Sequence, residues 1–188
     1  LKLLLNEGVK PYAAVISDAQ PTIMKQLDAS YNGNLYFLST ANAEAVASHN
    51  GLRIPIFQQG YPTAEMLAKT LNMPMLETGG SVSTVTISLL EYLGYDQIVM
   101  FGQDLGFIGE ATHATLSTSG RKVIDTSQLR TVTANNGETI YTTPNLQVYM
   151  RWIEQKSAKL QATLYTTSKY GAAIKHVQCL TKEQLLTL

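Results

Sequence analysis

The stretch 76–90, Leu-Glu-Thr-Gly-Gly-Ser-Val-Ser-Thr-Val-Thr-Ile-Ser-Leu-Leu, constrains the fold more than any other part of the chain. Gly79 and Gly80 permit a tight turn, and the apolar residues that follow them predict a helix. Ser81 and Ser83 are the candidate N-caps of that helix. Its predicted first turn carries no acidic side chain, so the free amide groups there favour an anion such as a phosphate.

A short strand and a polar tip are predicted directly after this helix. Gly94 is expected to end the helix, because glycine favours the left-handed backbone that follows many helices. The apolar run 97–101 predicts a buried strand, and Asp104 lies in the polar, glycine-flanked segment that comes next. Loop, helix, strand and polar tip form the β-α-β pattern of a sheet that binds ligands at its carboxyl edge.

Short apolar strands and helices alternate along most of the chain, which predicts an α/β fold with a mostly parallel sheet. Pro21 is expected to open a helix over 22–29. Pro55 is expected to place its strand at an edge of the sheet, because proline has no amide proton to donate. Thr63 is the expected cap of the next helix. The Asn-Asn-Gly segment 135–137 predicts the turn of a β-hairpin.

Composition limits the kinds of partner. The 188 residues carry 14 Lys and Arg against 14 Asp and Glu, and a neutral chain lacks the global positive charge that favours nucleic-acid binding. No apolar run approaches the roughly 18 residues of a membrane helix, and no signal peptide is found. We therefore expect no nucleic-acid or membrane partner. The single cysteine, Cys179, is compatible with a reducing cytosol, so we expect a cytoplasmic protein.

Four motifs, in this order along the chain, carry a resemblance to a known family: Gly-Gly-Ser-Val at 79–82, Leu-Gly-Tyr at 93–95, Phe-Gly-Gln-Asp-Leu at 101–105 and Thr-His-Ala at 112–114. With these motifs the chain resembles the Maf (motility accessory factor) flagellin glycosyltransferases, whose central domain is shared with archaeal hydroxymethylpterin diphosphokinases. It is also similar to bacterial sialyltransferases that use CMP-sialic acid. Further matches extend the resemblance over nearly the whole chain.

The resemblance implies a Rossmann-like sheet flanked by helices in a three-layer α/β/α arrangement. It also implies a transferase that moves a nonulosonic sugar, of the pseudaminic, legionaminic or sialic type, from a CMP donor to Ser or Thr of flagellin, in flagellar assembly and motility. The family's Gly-Pro-Ser-Leu loop, which touches the nucleotide, is not found in the sequence. We therefore expect residues 1–188 to be a single glycosyltransferase-type domain from a longer protein, lacking the upstream first strand and that loop.

Candidate binding residues come from the strand ends and the helix start. A transferase of this kind needs hydrogen-bond donors at the phosphate of its donor, which stabilise the charge that CMP gains as it leaves. The predicted ligand-binding residues are Gly79, Gly80, Ser81, Ser83, Asp104, Asp18 and Gln20. Asp104 can accept from ribose hydroxyls or hold a divalent cation. For each of these binding residues the alternative is a purely structural role, in a packed helix start or as the cap of a turn.

The predicted catalytic residues are His113, Tyr141 and Asp104. By the sialyltransferase resemblance, His113 is first a donor to the leaving phosphate and second a general base. Tyr141 falls near the place where those enzymes carry their catalytic histidine, so the identity of the base stays open. An exposed loop histidine without a role is the alternative for His113. No metal site is assigned, because the three histidines lack the spacing of zinc ligands.

Two other functions remain open at this point. The first is a diphosphokinase that acts on a pterin alcohol with ATP and Mg²⁺, held by Asp104 or Asp18. The second is a non-catalytic nucleotide-binding or interaction domain that kept the sheet and lost the chemistry. For the glycosyltransferase no cofactor is predicted, because the CMP-sugar is a substrate.

Overall fold

The computed structural model describes residues 1–108, 127 and 129–188, which form two compact units, Leu1–Ser88 and Leu89–Leu188. The first unit contains α1 (Lys2–Asn6), β1 (Ala13–Ile16), a 3₁₀ helix (Pro21–Lys25), β2 (Asn34–Leu38), α2 (Ala43–Ala47), β3 (Arg53–Gln58), α3 (Pro62–Leu71) and β4 (Met75–Leu76). Helix α4 (Val82–Tyr92) begins in the first unit and ends in the second.

The first unit is built on a four-stranded parallel sheet in the order β1-β2-β3-β4. The inner strands are rich in β-branched and aromatic residues, which suit a sheet covered on its faces. Leu35 on β2 is fully buried and packs with Ile16 of β1 and Ala45 of α2. Phe57 of β3 packs with the small residues of α3 in a second cluster. Because all four strands run in parallel, their carboxyl ends meet at one edge.

Pro55 lies on an inner strand, so the predicted edge position is wrong. Strand β3 pairs with β2 on one side and β4 on the other. The amides of Leu35 and Ser39 donate to the carbonyls of Leu52 and Ile56, so the even-numbered residues of β3 face β2. The missing amide proton of Pro55 therefore faces the β4 side, where pairing begins only at Phe57.

One predicted helix extent and one predicted helix cap also differ from the structure, although Pro21 opens its helix as expected. The helix expected over 22–29 is only the 3₁₀ helix Pro21–Lys25. After it, the carboxylate of Asp28 accepts from the hydroxyl and amide of Ser30 at 2.6 and 2.9 Å, a local turn that competes with helix. These bonds hold the pKa of Asp28 below its usual value. Helix α3 begins after Tyr61, with proline at its first position, and Thr63 is not its cap.

The second unit contains β5 (Gln97–Met100), β6 (Arg130–Thr133), β7 (Thr139–Thr142), α5 (Pro144–Ser157), β8 (Thr163–Thr166), β9 (Val177–Cys179) and α6 (Lys182–Leu185). Its parallel sheet has the order β5-β8-β9. Strands β6 and β7 pair antiparallel around the turn 135–137, so the predicted hairpin is confirmed. Gly137 adopts φ +88°, a left-handed conformation that suits glycine in this turn.

The predicted α/β class with a mostly parallel sheet is confirmed, since every pairing in the two larger sheets is parallel. Within the described ranges, no helix combines the length and the apolar character needed to cross a lipid bilayer.

Candidate functional site

A single buried hydroxyl organises the loop that leads into α4. The amides of Gly79 and Ser81 donate to Oγ1 of Thr84 at 3.0 and 3.2 Å, and Oγ1 donates to the carbonyl of Ser81 at 2.7 Å. Thr84 is fully buried, so these bonds form away from water. At the base of the loop the buried hydroxyl of Ser88 donates to the carbonyl of Glu77 at 2.7 Å. The amides of Gly79 and Ser81 are therefore occupied inside the loop.

Three other amides at the start of α4 are not used by any hydrogen bond between the described residues: those of Gly80, Val82 and Ser83. Gly80 is exposed with φ +89°, and 43% of Val82 is exposed. The N-cap is Ser81, whose hydroxyl accepts from the amide of Thr84 at 3.3 Å. Exposed N–H groups at a helix start bind anions through direct donation and through the helix dipole.

The hydroxyls of Ser81 and Ser83 form a hydrogen bond of 2.8 Å with each other. When Ser81 is the donor in this pair, the proton of Ser83 is free to donate to a ligand. Both serines are partly exposed. We call residues 79–83 the helix-start site.

The predicted binding residues of the first unit follow its two outer strands, β1 and β4. Asp18 and Gln20 follow β1 and are exposed, and the Gln20 amide donates to Oδ1 of Asp18 at 2.8 Å. The helix-start site follows β4 at the same edge. Three strand spacings of about 4.8 Å separate β1 from β4, so the two groups lie about 14 Å apart. A ligand as long as a nucleotide with its substituent can span this distance.

Ser39 and Asn42 follow β2 between these groups. Asn42 caps α2, since its side-chain oxygen accepts from the amide of Ala45 at 2.9 Å. Ser39 Oγ is buried and has no hydrogen-bond partner within the described part of the chain. A capping role therefore accounts for Asn42 and does not account for Ser39.

Asp104 lies in the second unit, exposed, in the loop after β5. Its carbonyl accepts from the amide of Ala172 at 2.7 Å. Next to it Leu105 has φ +49°, a strained value for leucine, and its carbonyl accepts from the buried hydroxyl of Thr142 at 2.7 Å. Gly171 packs so closely that a Cβ there would lie 2.9 Å from the Cα of Asp104. The backbone that carries the Asp104 carboxylate is thus held from two sides.

Tyr141 lies beside the same loop. Its amide and carbonyl exchange hydrogen bonds with the carbonyl and amide of Phe107, at 3.1 and 2.8 Å. Its side chain is 47% exposed. The backbone of Tyr141 is therefore paired with the loop that carries Asp104. His113 lies outside the described residues.

Sequence reasoning missed four residues that shape these surfaces: Thr84, Thr142, Lys169 and Tyr170. The two threonines are buried anchors, and no local pattern distinguishes them from other helix or strand threonines. Lys169 and Tyr170 are exposed just after β8. Applying the strand-end rule to the predicted strand at 163–167 could have found them.

A metal site is not evident in the residues described. There, no three or more His, Cys, Asp and Glu side chains gather in a way that could hold a metal ion. A single carboxylate such as Asp104 can still bind Mg²⁺ together with the phosphates of a nucleotide.

Comparison with known proteins gives a family. The model of the family described as "6-hydroxymethylpterin diphosphokinase MptE-like" matches residues 1–110, more than half of the chain. The chain belongs to this MptE-like family. The matched residues include the helix-start site, β5 and Asp104. No curated protein matches this sequence.

A solved structure extends the comparison beyond residue 110. The Maf glycosyltransferase from Magnetospirillum magneticum AMB-1 is similar, with a TM-score of 0.75 and 15% sequence identity. The match covers 96% of this chain and 28% of that chain, so this chain spans little more than a quarter of the glycosyltransferase. At this identity the match establishes the fold. The predicted Rossmann-like fold and the predicted relationship to MptE-like proteins are confirmed.

Proposed function

We propose that this MptE-like chain is the nucleotide-binding part of a glycosyltransferase. The reaction transfers a nonulosonic sugar of the pseudaminic, legionaminic or sialic type from a CMP donor to a Ser or Thr hydroxyl. The proposed acceptor is flagellin and the proposed location the cytoplasm. The fold shared with a Maf glycosyltransferase supports this choice of reaction class.

The observation that carries the proposal is the exposed start of α4. The amides of Gly80, Val82 and Ser83 are donors without a partner in the described part of the chain. The Ser83 hydroxyl adds a fourth donor when it accepts from Ser81 in their shared hydrogen bond. In this proposal they hold the phosphate of CMP. As the bond between the sugar carbon and the phosphate oxygen breaks, that oxygen keeps the bonding electrons, and nearby donors stabilise its added charge.

The remaining predicted residues take the other roles in the reaction. Asp104 accepts from hydroxyl groups of the donor, and hydrogen bonds to the carbonyls of Asp104 and Leu105 hold the backbone that carries it. Tyr141 is proposed to hydrogen-bond the acceptor hydroxyl and orient it. As the hydroxyl oxygen bonds to the sugar, its proton passes to a general base, whose identity stays open. His113 is retained as the proposed donor to the leaving phosphate. Asp18 and Gln20 are proposed to contact the far end of the nucleotide sugar.

A substitution at the first helical position tests the phosphate site. Val82→Pro removes one free amide, while proline is well tolerated at the first position of a helix. Val82→Ala keeps the amide and is the matched control. In ¹⁵N NMR titrations with CMP, we expect saturable shifts of the Gly80 and Ser83 amides. The affinity for CMP should fall about tenfold in Val82→Pro and stay unchanged in Val82→Ala, since one charge-assisted hydrogen bond is lost. Equal affinity in both variants would remove the proposed phosphate site.

The family match favours a second candidate, a Mg²⁺-dependent diphosphokinase that acts on a pterin alcohol. Here the helix-start site holds the phosphates of ATP, and Asp104 or Asp18 contributes to Mg²⁺. The two candidates differ in metal dependence. ATP binding that is lost on adding EDTA supports the kinase, whereas CMP binding that ignores EDTA supports the glycosyltransferase. If neither nucleotide shifts the helix-start amides, a non-catalytic interaction domain is the remaining reading.

A further inference from the structure

The segment after β8 shares an edge of the second sheet with Asp104. Strands β5 and β8 are parallel neighbours, with Met100 opposite Thr166, and the Thr167 amide donates to the Met100 carbonyl at 3.2 Å. The loops that follow the two strands therefore leave the sheet side by side. Their contact continues at Gly171, which packs against the backbone of Asp104. Ligands of open α/β sheets bind at this kind of edge.

The backbone of this segment, residues 167–171, is held firmly. Asn135 in the hairpin turn donates through Nδ2 to the Ser168 carbonyl at 2.9 Å, and its amide donates to the Gly171 carbonyl at 2.9 Å. Within the segment, the Gly171 amide donates to the Ser168 carbonyl at 3.1 Å. A turn fixed by three bonds presents its side chains in a defined position, which is typical of binding loops on rigid scaffolds.

The two side chains at the tip of the turn are open to solvent. Tyr170 is 59% exposed, and the ammonium of Lys169 lies over its ring, 5.6 Å from the centroid. An aromatic face binds the apolar face of a ring compound, and an ammonium beside it attracts an anionic group. The exposed carboxylate of Asp104 on the neighbouring loop accepts hydroxyl groups and disfavours a ligand with two negative charges. Together these groups suit a ring with several hydroxyls and a single carboxylate.

We propose that Lys169 and Tyr170 form a subsite for a carboxylated sugar ring. Lys169 donates to the carboxylate, Tyr170 stacks on the C–H face of the ring, and Asp104 accepts from a sugar hydroxyl. This inference rests on the proposed function, because that function requires a donor sugar that carries a carboxylate. It assigns the selection of an acidic sugar to two residues outside the motifs that carry the family resemblance.

The test compares N-acetylneuraminic acid with its uncharged methyl ester in ¹⁵N NMR titrations of the full chain. We expect the acid to shift the amides of 168–171 saturably and to bind about fivefold more tightly than the ester, the upper range for an exposed ion pair. Lys169→Ala removes this preference, and Lys175→Ala, an exposed lysine of the same unit, keeps it. Tyr170→Phe keeps the affinity and Tyr170→Ser lowers it for both ligands.

Equal binding of acid and ester, no saturable shift at 168–171, or the same behaviour in Lys169→Ala and Lys175→Ala overturns the subsite. The helix-start amides report on CMP separately in the same spectra. CMP binding without sugar-acid binding overturns only the subsite, and sugar-acid binding without CMP binding overturns only the proposed CMP site. Both tip residues are exposed, so we expect their variants to fold. Unchanged NMR signals from the rest of the chain show that each variant is folded.

Discussion

Thr142 and Leu105 are joined by a buried hydrogen bond, 2.7 Å from the threonine hydroxyl to the leucine carbonyl oxygen. Leu105 has φ +49°, a conformation that costs of order 1–3 kcal/mol and persists only where surrounding contacts hold it. The bond is one of the contacts that hold it. A residue on the hairpin therefore determines the path of the loop that carries Asp104.

Thr142→Val is expected to lower the free energy of unfolding by about 1–3 kcal/mol, because the Leu105 carbonyl loses its buried donor. Thr142→Ser keeps the hydroxyl and should lose less. Urea denaturation of the three proteins measures the difference. If valine and serine have the same effect, the hydrogen bond does not stabilise the loop and only packing matters.

Thr84→Val is expected to loosen the helix-start site. The amides of Gly79 and Ser81 lose the Oγ1 atom that accepts from both, so we expect a loss of about 1–3 kcal/mol and faster hydrogen exchange at these two amides. Thr84→Ser keeps the acceptor and is the control. Unchanged exchange in the valine variant would show that the loop is held by other contacts.

Substitution by alanine is expected to change the free energy of unfolding in opposite directions at Ser39 and Ser88. Ser39 Oγ is buried without a partner among the described residues, so Ser39→Ala should raise the free energy of unfolding by about 1 kcal/mol. The Ser88 hydroxyl donates to the Glu77 carbonyl, so Ser88→Ala should lower it by about 1–2 kcal/mol. Chemical denaturation of both variants tests the pair. A destabilising Ser39→Ala would indicate that its hydroxyl is bonded in solution, for example to water.

Asn72 ends α3 in the left-handed conformation, with φ +52°. Asn72→Gly is expected to raise the thermal midpoint slightly, because glycine adopts this conformation without steric cost. Asn72→Ala should lower the midpoint, because it reduces the free energy of unfolding by about 1 kcal/mol. The residue is exposed, so side-chain packing contributes little. Calorimetry of the two variants measures the order, and alanine matching glycine would contradict the account.

Local pattern was enough to predict the fold class and most strands. Alternating apolar runs, the Gly-Gly-Ser entry into α4 and the Asn-Asn-Gly turn each depend on interactions within a few residues, and each is confirmed. One failure has a local cause and the other a tertiary cause. The Asp28–Ser30 turn competed with the helix expected over 22–29, and the direction in which Pro55 faces follows from the register of β3.

The sequence by itself determined the α/β class, the family and the amide-rich start of α4. Tertiary structure decided which of those amides are free, because Thr84 accepts two of them, and it decided that the turn after β8 packs beside Asp104. The Thr84 bonds span only three and five residues, but they depend on the burial of Thr84 in the packed helix. The position of the turn depends on strand neighbours and hydrogen bonds distant in sequence, such as the Asn135 contacts with Ser168 and Gly171. Spacing along the chain does not encode such contacts, since strand order and register arise only when the sheet forms.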